Sequence, residues 1–278
     1  MGQIDTIGFI GGGRMAEALI QGVIQAGLVS PDKILVADPD ESRRVLLHSK
    51  YKVNVSEKAE EVLISKLIVL AVKPQILVDL LDVIKPKINE SHLLVSIAAG
   101  IPLQIIEGKL AGCGCRVIRV MPNTPALVLE GASALSAGAL VTEDDLDQAK
   151  AVFDAVGTSV VLEEKYLDAV TGLSGSGPAY VFSFMEAMID SGVKVGLNRP
   201  IAEALVYQTL LGSVKLAMES REHPAQLRAM VTSPGGTTIA ALHTMEKAGF
   251  NGIIMDAIEA ATNRSKELGR LVIEESKK

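Results

Sequence analysis

The chain has 278 residues, 48% of them apolar and 3% aromatic, with no Trp and a formal charge of −6. That is enough aliphatic material for a full core, while the acidic balance and the lack of a long basic run exclude a nucleic-acid phosphate footprint. The two cysteines, Cys113 and Cys115, stand in a C-x-C spacing that matches neither a redox pair nor half a zinc site, so no metal is expected and a reducing compartment is.

No uninterrupted apolar run reaches membrane-spanning length, and the N-terminus lacks a basic-then-apolar leader. Met1–Thr6 fits the loose myristoylation pattern, but a strand is expected to start almost at once, which leaves no arm for a lipid to use. The expectation is a cytoplasmic protein with no membrane partner.

Thr6–Ile10, Lys33–Ala37, Leu67–Val72, Leu93–Ala98 and Val117–Val120 are short apolar runs and read as strands. Between the first two lies Arg14–Ala26, with Met15, Leu19, Ile20 and Val23 on one helical face. Glu57–Ile64 and Gln75–Ile84 are also helix-like. Strand alternating with helix implies parallel strands joined by right-handed crossovers. Ala132–Leu135 and Ser159–Leu162 flank an acidic helix, Glu143–Val156.

After Leu162 no convincing strand remains. Helix-period segments follow: Tyr166–Gly172, Ala179–Ser191, Pro200–Glu219, Pro224–Val231, Thr238–Lys247 and Phe250–Glu275. Stretches such as Ala187–Ile189 and Ile253–Ile254 are apolar over more than one face, so helices from a second subunit are a natural complement. The pattern therefore predicts an α/β fold: a Rossmann-type doubly wound parallel sheet over residues 1–162, then an all-α dimerisation domain over 163–278.

The first strand runs into Gly11-Gly12-Gly13-Arg14-Met15-Ala16, a G-x-G-x-x-A turn opening a helix. Glycines there permit a tight turn and close approach to a pyrophosphate, and the helix N-terminus offers N–H donors. Alone the motif is weak. Asp38, ending the second strand about twenty residues on, supplies the context of a dinucleotide site. A carboxylate there accepts from both ribose hydroxyls of NAD and repels the 2′-phosphate of NADP; Arg43 and Arg44 follow and could turn to meet that phosphate, so NAD(H) and NADP(H) both stay open. Small-residue or proline turns close three later strands: Ala71-Val72-Lys73-Pro74, Ile97-Ala98-Ala99-Gly100 and Met121-Pro122-Asn123-Thr124-Pro125. In a doubly wound sheet such strand ends line the ligand cleft.

Acid–base residues are scarce. There are four histidines, none in a catalytic pattern, and Lys73 is the lysine nearest the expected nicotinamide. Reduction of an imine that arrives protonated needs little acid–base help. The second unusual stretch is Ser233-Pro234-Gly235-Gly236-Thr237-Thr238, where proline and glycines interrupt a helical pattern. Its plain reading is a capping turn with Thr237 as N-cap.

With Gly8–Gly13, Ala71–Pro74, Arg119–Pro125, Gly172–Tyr180 and above all 233–238, the chain resembles the pyrroline-5-carboxylate reductases over essentially its whole length. The resemblance implies NAD(P)H-dependent reduction of 1-pyrroline-5-carboxylate to L-proline, the last step of proline biosynthesis, in a homodimer or a ring of dimers whose sites are completed by both subunits. It implies cofactor contacts at Ile10, Gly11, Gly13, Arg14, Met15, Asp38, Ala71, Val72, Lys73, Pro74, Ala98 and Ala99. It implies that the N–H groups of Gly236, Thr237 and Thr238 point at the substrate carboxylate, that Ser233 and Glu164 lie beside the substrate, and that the Thr238 hydroxyl sits near the ring nitrogen as the catalytic group. Arg14 stands where many relatives have Asn, and Asp38 where many have a small neutral or amide residue. Two other readings are a 3-hydroxyacid dehydrogenase, which would draw on Lys194 or Lys215, and a dinucleotide sensor without turnover.

Overall fold

The computed structural model describes residues 4–275. Among them, one sheet holds β1 (Ile7–Ile10), β2 (Ile34–Ala37), β3 (Asn54–Ser56), β4 (Leu67–Leu70), β5 (Leu93–Ser96), β6 (Arg116–Met121), β7 (Gly131–Ala137) and β8 (Gly157–Val161), in the order β3-β2-β1-β4-β5-β6-β7-β8. The sheet is buried on both faces, which is why its central strands read as unbroken apolar runs. Ile7 and Phe9 of β1 join Val36, Val69 and Val95 in one core. Ile10 joins Ile68, Leu70 and Leu94 in the other.

Helices cover both faces. α1 (Arg14–Gln25) and α5 (Glu143–Asp154) pack Leu19, Ile20, Val23, Val152 and Phe153 into the first core. α3 (Pro74–Ile84) and α4 (Leu103–Lys109) pack Leu77, Leu81, Leu103 and Ile106 into the second. α2 (Glu41–Tyr51) adds Leu47 to the first core and is capped by Asp40, whose side chain accepts from the Ser42 N–H. Each fully buried aliphatic side chain contributes about 1.5–3 kcal/mol.

The sheet departs from the expected pattern at three places. β7 runs antiparallel to β6, because the 3₁₀ turn Thr124–Val128 between them is too short for the helical crossover a parallel pair needs. β3, three residues long, is an added edge strand beside β2. The segment expected as a helix from Glu57 is a 3₁₀ turn, Ala59–Ile64, that buries Val62 and Leu63.

The rest of the chain is helical: α6 (Leu167–Val170), a π-helical turn at Thr171–Gly175, α7 (Gly177–Lys194), α8 (Arg199–Ser220), α9 (Pro224–Met230), α10 (Thr237–Lys247) and α11 (Phe250–Glu275). By compactness the chain falls into two units. The first runs to Ser176 and takes in the chain from Glu259 onward; the second is Gly177–Ile258. The segment 163–176, which the sequence places with the helices, packs within the first unit. Leu167 is buried, Ser265 donates to Asp168, and Asn123 donates to the Ser174 carbonyl.

The second unit hides little. Its buried cluster among the described residues is Ile189, Ala202 and Val206. Phe182, Leu205, Met218 and Met230 are 55–73% exposed, as apolar residues on more than one helix face must be in a single protomer. No helix among the described residues is long and apolar enough to cross a membrane, and none of them form a cluster of potential metal ligands. The myristoylation pattern at Met1–Thr6 begins outside the described residues.

Cys113 and Cys115 form no disulfide. Burial, helped by the neighbouring Cys113, pushes the Cys115 thiol up from 9.0 to about 11. Its contribution to stability is complete below the unfolded value and is lost as pH rises from that value through the folded one. Cys115 should therefore resist alkylation by iodoacetamide at about pH 8 until the protein unfolds. Measured urea stability should fall more steeply in alkali for the wild type than for Cys115→Ala.

Candidate active site

β1 lies between β2 and β4 in level register: Ile10 faces Ala37 on one side and Leu70 on the other. The residues just past those three strands are Gly11, Asp38 and Ala71. Gly11 donates its N–H to the Ala37 carbonyl at 2.7 Å, and Ala71 donates to the Ile10 carbonyl at 2.8 Å. Gly11 has φ +98°, and a Cβ there would lie 2.5 Å from the Ala71 carbonyl oxygen. No other residue fits.

Gly13 is the N-cap of α1 and makes no side-chain cap. A Cβ on Gly13 would meet nothing within 4 Å, so its backbone faces open space. The N–H groups opening α1 look into the same region, with the exposed Arg14 beside them. Together they suit a pyrophosphate. Here a cleft of about 320 Å³ is lined by Gly13, Arg14, Met15, Ala71, Val72, Lys73, Ile97, Ala99, Met121 and Pro122.

The structure thus brings together seven of the expected cofactor residues: Gly13, Arg14, Met15, Ala71, Val72, Lys73 and Ala99. Ile10 and Ala98 lie behind the cleft, each 3% exposed. Gly11 forms the turn. Pro74 opens α3 and lines a larger neighbouring cleft of about 700 Å³ with Gly100, Thr171 and Leu268. Asp38 meets the glycine loop from the other side: the Gly12 N–H donates to its Oδ2 at 2.6 Å. A Cβ on Gly12 would press on the tip of the Leu47 side chain and crowd Asp38, so the middle glycine leaves these two their place. Ile97, Met121 and Pro122 are not among the contacts the resemblance implies, but they belong to the strand-end turns after β5 and β6 that the sequence places at the cleft.

Glu17, on the first turn of α1, ties this loop to α2. It accepts from Arg43 at 2.8 Å and from Lys50 and Tyr51 at 3.1 Å. Burial raises its pKa, but the hydrogen bonds from Arg43, Lys50 and Tyr51 outweigh it, and the net shift is downward. The stability this gives is in place above the ordinary 4.5 and is lost as pH falls below it.

Glu164 opens a 3₁₀ turn, Glu164–Tyr166. Its Oε1 accepts from the Leu103 N–H at 2.7 Å and from Arg119 at 2.9 Å. Arg119 is only 7% exposed, so this pair fixes the turn to β6 and the start of α4. Arg119 is a partner the sequence did not reveal.

Ser233, Gly236, Thr237 and Thr238 belong to the other compact unit. Gly235 has φ +67°, and α10 starts at Thr237 with Gly236, not Thr237, as its N-cap. Gly236 turns its N–H back onto the Ser233 carbonyl at 3.1 Å, so it is not one of the outward donors. A Cβ on Gly236 would fall 2.3 Å from Ser233 Oγ, so a side chain there would have to turn that hydroxyl aside. The donors left at the helix start are the N–H groups of Thr237, Thr238 and Ile239, which have no acceptor within α10.

Residues 164–268 match the family model for pyrroline-5-carboxylate reductase dimerisation, and residues 6–100 match the model for NADP oxidoreductase, coenzyme F420-dependent. The chain is 47% identical over 265 residues to the pyrroline-5-carboxylate reductase of Methanosarcina acetivorans, covering 95% of this chain and 98% of that protein. This chain belongs to the pyrroline-5-carboxylate reductase family. It is also 44% identical to the Pisum sativum enzyme of the same name over 95% of this chain and 96% of that one. A solved pyrroline-5-carboxylate reductase from Coxiella burnetii matches with TM-score 0.90 at 35% identity, covering 96% of this chain and 99% of that one. The Plasmodium falciparum pyrroline carboxylate reductase, solved with NADP bound, matches with TM-score 0.86 at 34% identity, covering 97% and 100%.

The open space over Gly13 gives a direct test of the cleft. Gly13 has φ −67°, which alanine adopts without strain. Gly13→Ala should leave the urea midpoint unchanged while weakening NAD+ and NADP+ binding by about tenfold or more, measured by calorimetry. Unchanged affinity would place the pyrophosphate elsewhere.

Proposed function

We propose that this chain catalyses NAD(P)H-dependent reduction of 1-pyrroline-5-carboxylate to L-proline, the closing step of proline biosynthesis. The observation that carries the reading is the pair of sites: a glycine-lined dinucleotide cleft at the carboxyl ends of the central strands, and a glycine-broken helix start with outward N–H donors at Thr237, Thr238 and Ile239. The first suits a cofactor pyrophosphate and the second a small carboxylate. The membership of the reductase family supports both assignments.

When bound, the reduced nicotinamide supplies the hydride. Val72, Ala99, Met121 and Pro122 would hold its ring against an apolar wall of the cleft. The helix start of α10 holds the substrate carboxylate, with Ser233 shaping the turn before it. The Thr238 hydroxyl orients the ring nitrogen. The imine enters protonated, so hydride arriving at the imine carbon completes a secondary amine, and the step requires no further proton. This matches a cleft whose lining includes no histidine and no carboxylate. The chain's work is then orientation of two reactants.

Glu164 acts on the substrate side by fixing the 163–166 turn through Arg119 and Leu103. Functionally the chain divides into a cofactor part, 1–162, and a substrate and assembly part, 163–278. The apolar faces of α7, α8 and α10, together with the dimerisation-family match, support a homodimer, which can further assemble as a ring of dimers. Two cysteines without a disulfide support a cytoplasmic location.

Thr238→Ala should lower kcat about 10- to 100-fold with KM and urea stability little changed, because it removes a contact used in the transition state. An unchanged kcat would remove Thr238 from the mechanism. The carboxylate cradle makes a second claim. 1-Pyrroline, which lacks the carboxylate, should be reduced with kcat/KM lower by about 100-fold than the natural substrate. Equal values for the two substrates would leave the α10 donors without a role.

A further inference from the structure

Four charged side chains surround the loop that meets the adenosine end of the cofactor. Each carboxylate oxygen of Asp38 already accepts one backbone N–H: Gly12 onto Oδ2 at 2.6 Å, and Asp40 onto Oδ1 at 2.8 Å. Each keeps a second acceptor direction. Two such directions on one fixed group suit the two hydroxyls of a ribose, and its charge opposes a phosphate ester on the same sugar. The edge strand β3 adds to the fixation, since the Asp38 N–H donates to the Ser56 carbonyl at 3.1 Å.

Two arginines on α2 stand close enough in sequence to reverse that preference, and both are engaged elsewhere. Arg44 donates to the carbonyls of Asp38 at 2.7 Å and Pro39 at 2.9 Å. Arg43 donates from Nε to the Gly12 carbonyl at 2.8 Å and pairs with Glu17 Oε2 at 2.8 Å. Glu17 is in turn held by Lys50 and Tyr51 of the same helix. The Glu17 side chain is 18% exposed and that of Arg43 24%, so water screens this pair less than an ordinary surface pair.

We propose that Glu17 is a positioning residue for cofactor choice. By holding Arg43 on the carbonyl of Gly12, it leaves the Asp38 carboxylate as the group presented to the adenosine ribose, and the chain selects a dinucleotide with an unmodified 2′-hydroxyl. The inference rests on the nicotinamide-dinucleotide reading above.

The test is calorimetric titration of the full chain with NAD+ and with NADP+, in the absence of substrate, alongside kcat/KM for NADH and NADPH. The wild type should bind NAD+ about tenfold or more tightly than NADP+. Asp38→Asn keeps an acceptor for Gly12 and removes the charge, and should cut that preference about tenfold. Glu17→Gln should raise NADP+ affinity several-fold with NAD+ affinity unchanged, and Arg43→Ala added to it should remove the gain. A merely structural Glu17 would weaken both cofactors together, and that result overturns the proposal. So does a wild type that binds NADP+ as tightly as NAD+. A chain with the expected preference that fails to reduce pyrroline-5-carboxylate would count against the reductase reading and leave this one standing. A chain that reduces it equally well with either cofactor would do the opposite.

Discussion

The register of β1 between β2 and β4 is the constraint on which the cofactor cleft depends. Because Ile10 sits level with Ala37 and Leu70, the next residues on all three strands leave the sheet at one height. Gly11 can then turn against the Ala71 carbonyl, Asp38 can take the Gly12 N–H, and α1 can start with its donors facing outward. The register is secured from both sides, since Ile7 and Phe9 enter one core and Ile10 the other. A slip of one residue would exchange those faces and move every polar group of the loop by a strand step. The cleft is therefore a consequence of core packing and not of the loop alone.

A second constraint acts at α10. Breaking a helix with proline and two glycines exposes backbone donors that an uninterrupted helix would consume internally. Ser233 and Gly236 close the turn upon themselves, which leaves the N–H groups of Thr237, Thr238 and Ile239 without acceptors inside α10. In the proposed reaction this backbone site and the cleft at the strand ends divide the labour. One fixes the substrate by its carboxylate and the other fixes the cofactor by its pyrophosphate. Neither needs a titrating side chain, and this agrees with a protein poor in histidine and with chemistry that starts from a cation.

The parts of this arrangement that lie in local patterns were legible in the sequence. Gly11, Gly13 and Asp38 carry their spacing openly, and Ser233–Thr238 stands out against the helical period around it. What escaped depends on distant partners or on backbone angles. β3 is too short to show alternation, yet it anchors Asp38 through Ser56. The direction of β7 is set by the length of the turn before it, not by its own residues. Gly236 looked like an outward donor until the positive φ of Gly235 brought its N–H back to Ser233. Arg119 reads as an ordinary strand residue, and only the fold shows that it holds Glu164. The Glu17–Arg43 pair joins residues 26 positions apart on separate helices, so no local pattern could announce it.

The most direct measurement is oxidation of NADH and of NADPH, followed at the nicotinamide absorbance with and without 1-pyrroline-5-carboxylate. The account predicts oxidation that depends on the substrate and yields proline. Binding of either cofactor with no substrate-dependent oxidation would contradict it, and would leave the α10 donors without their proposed role.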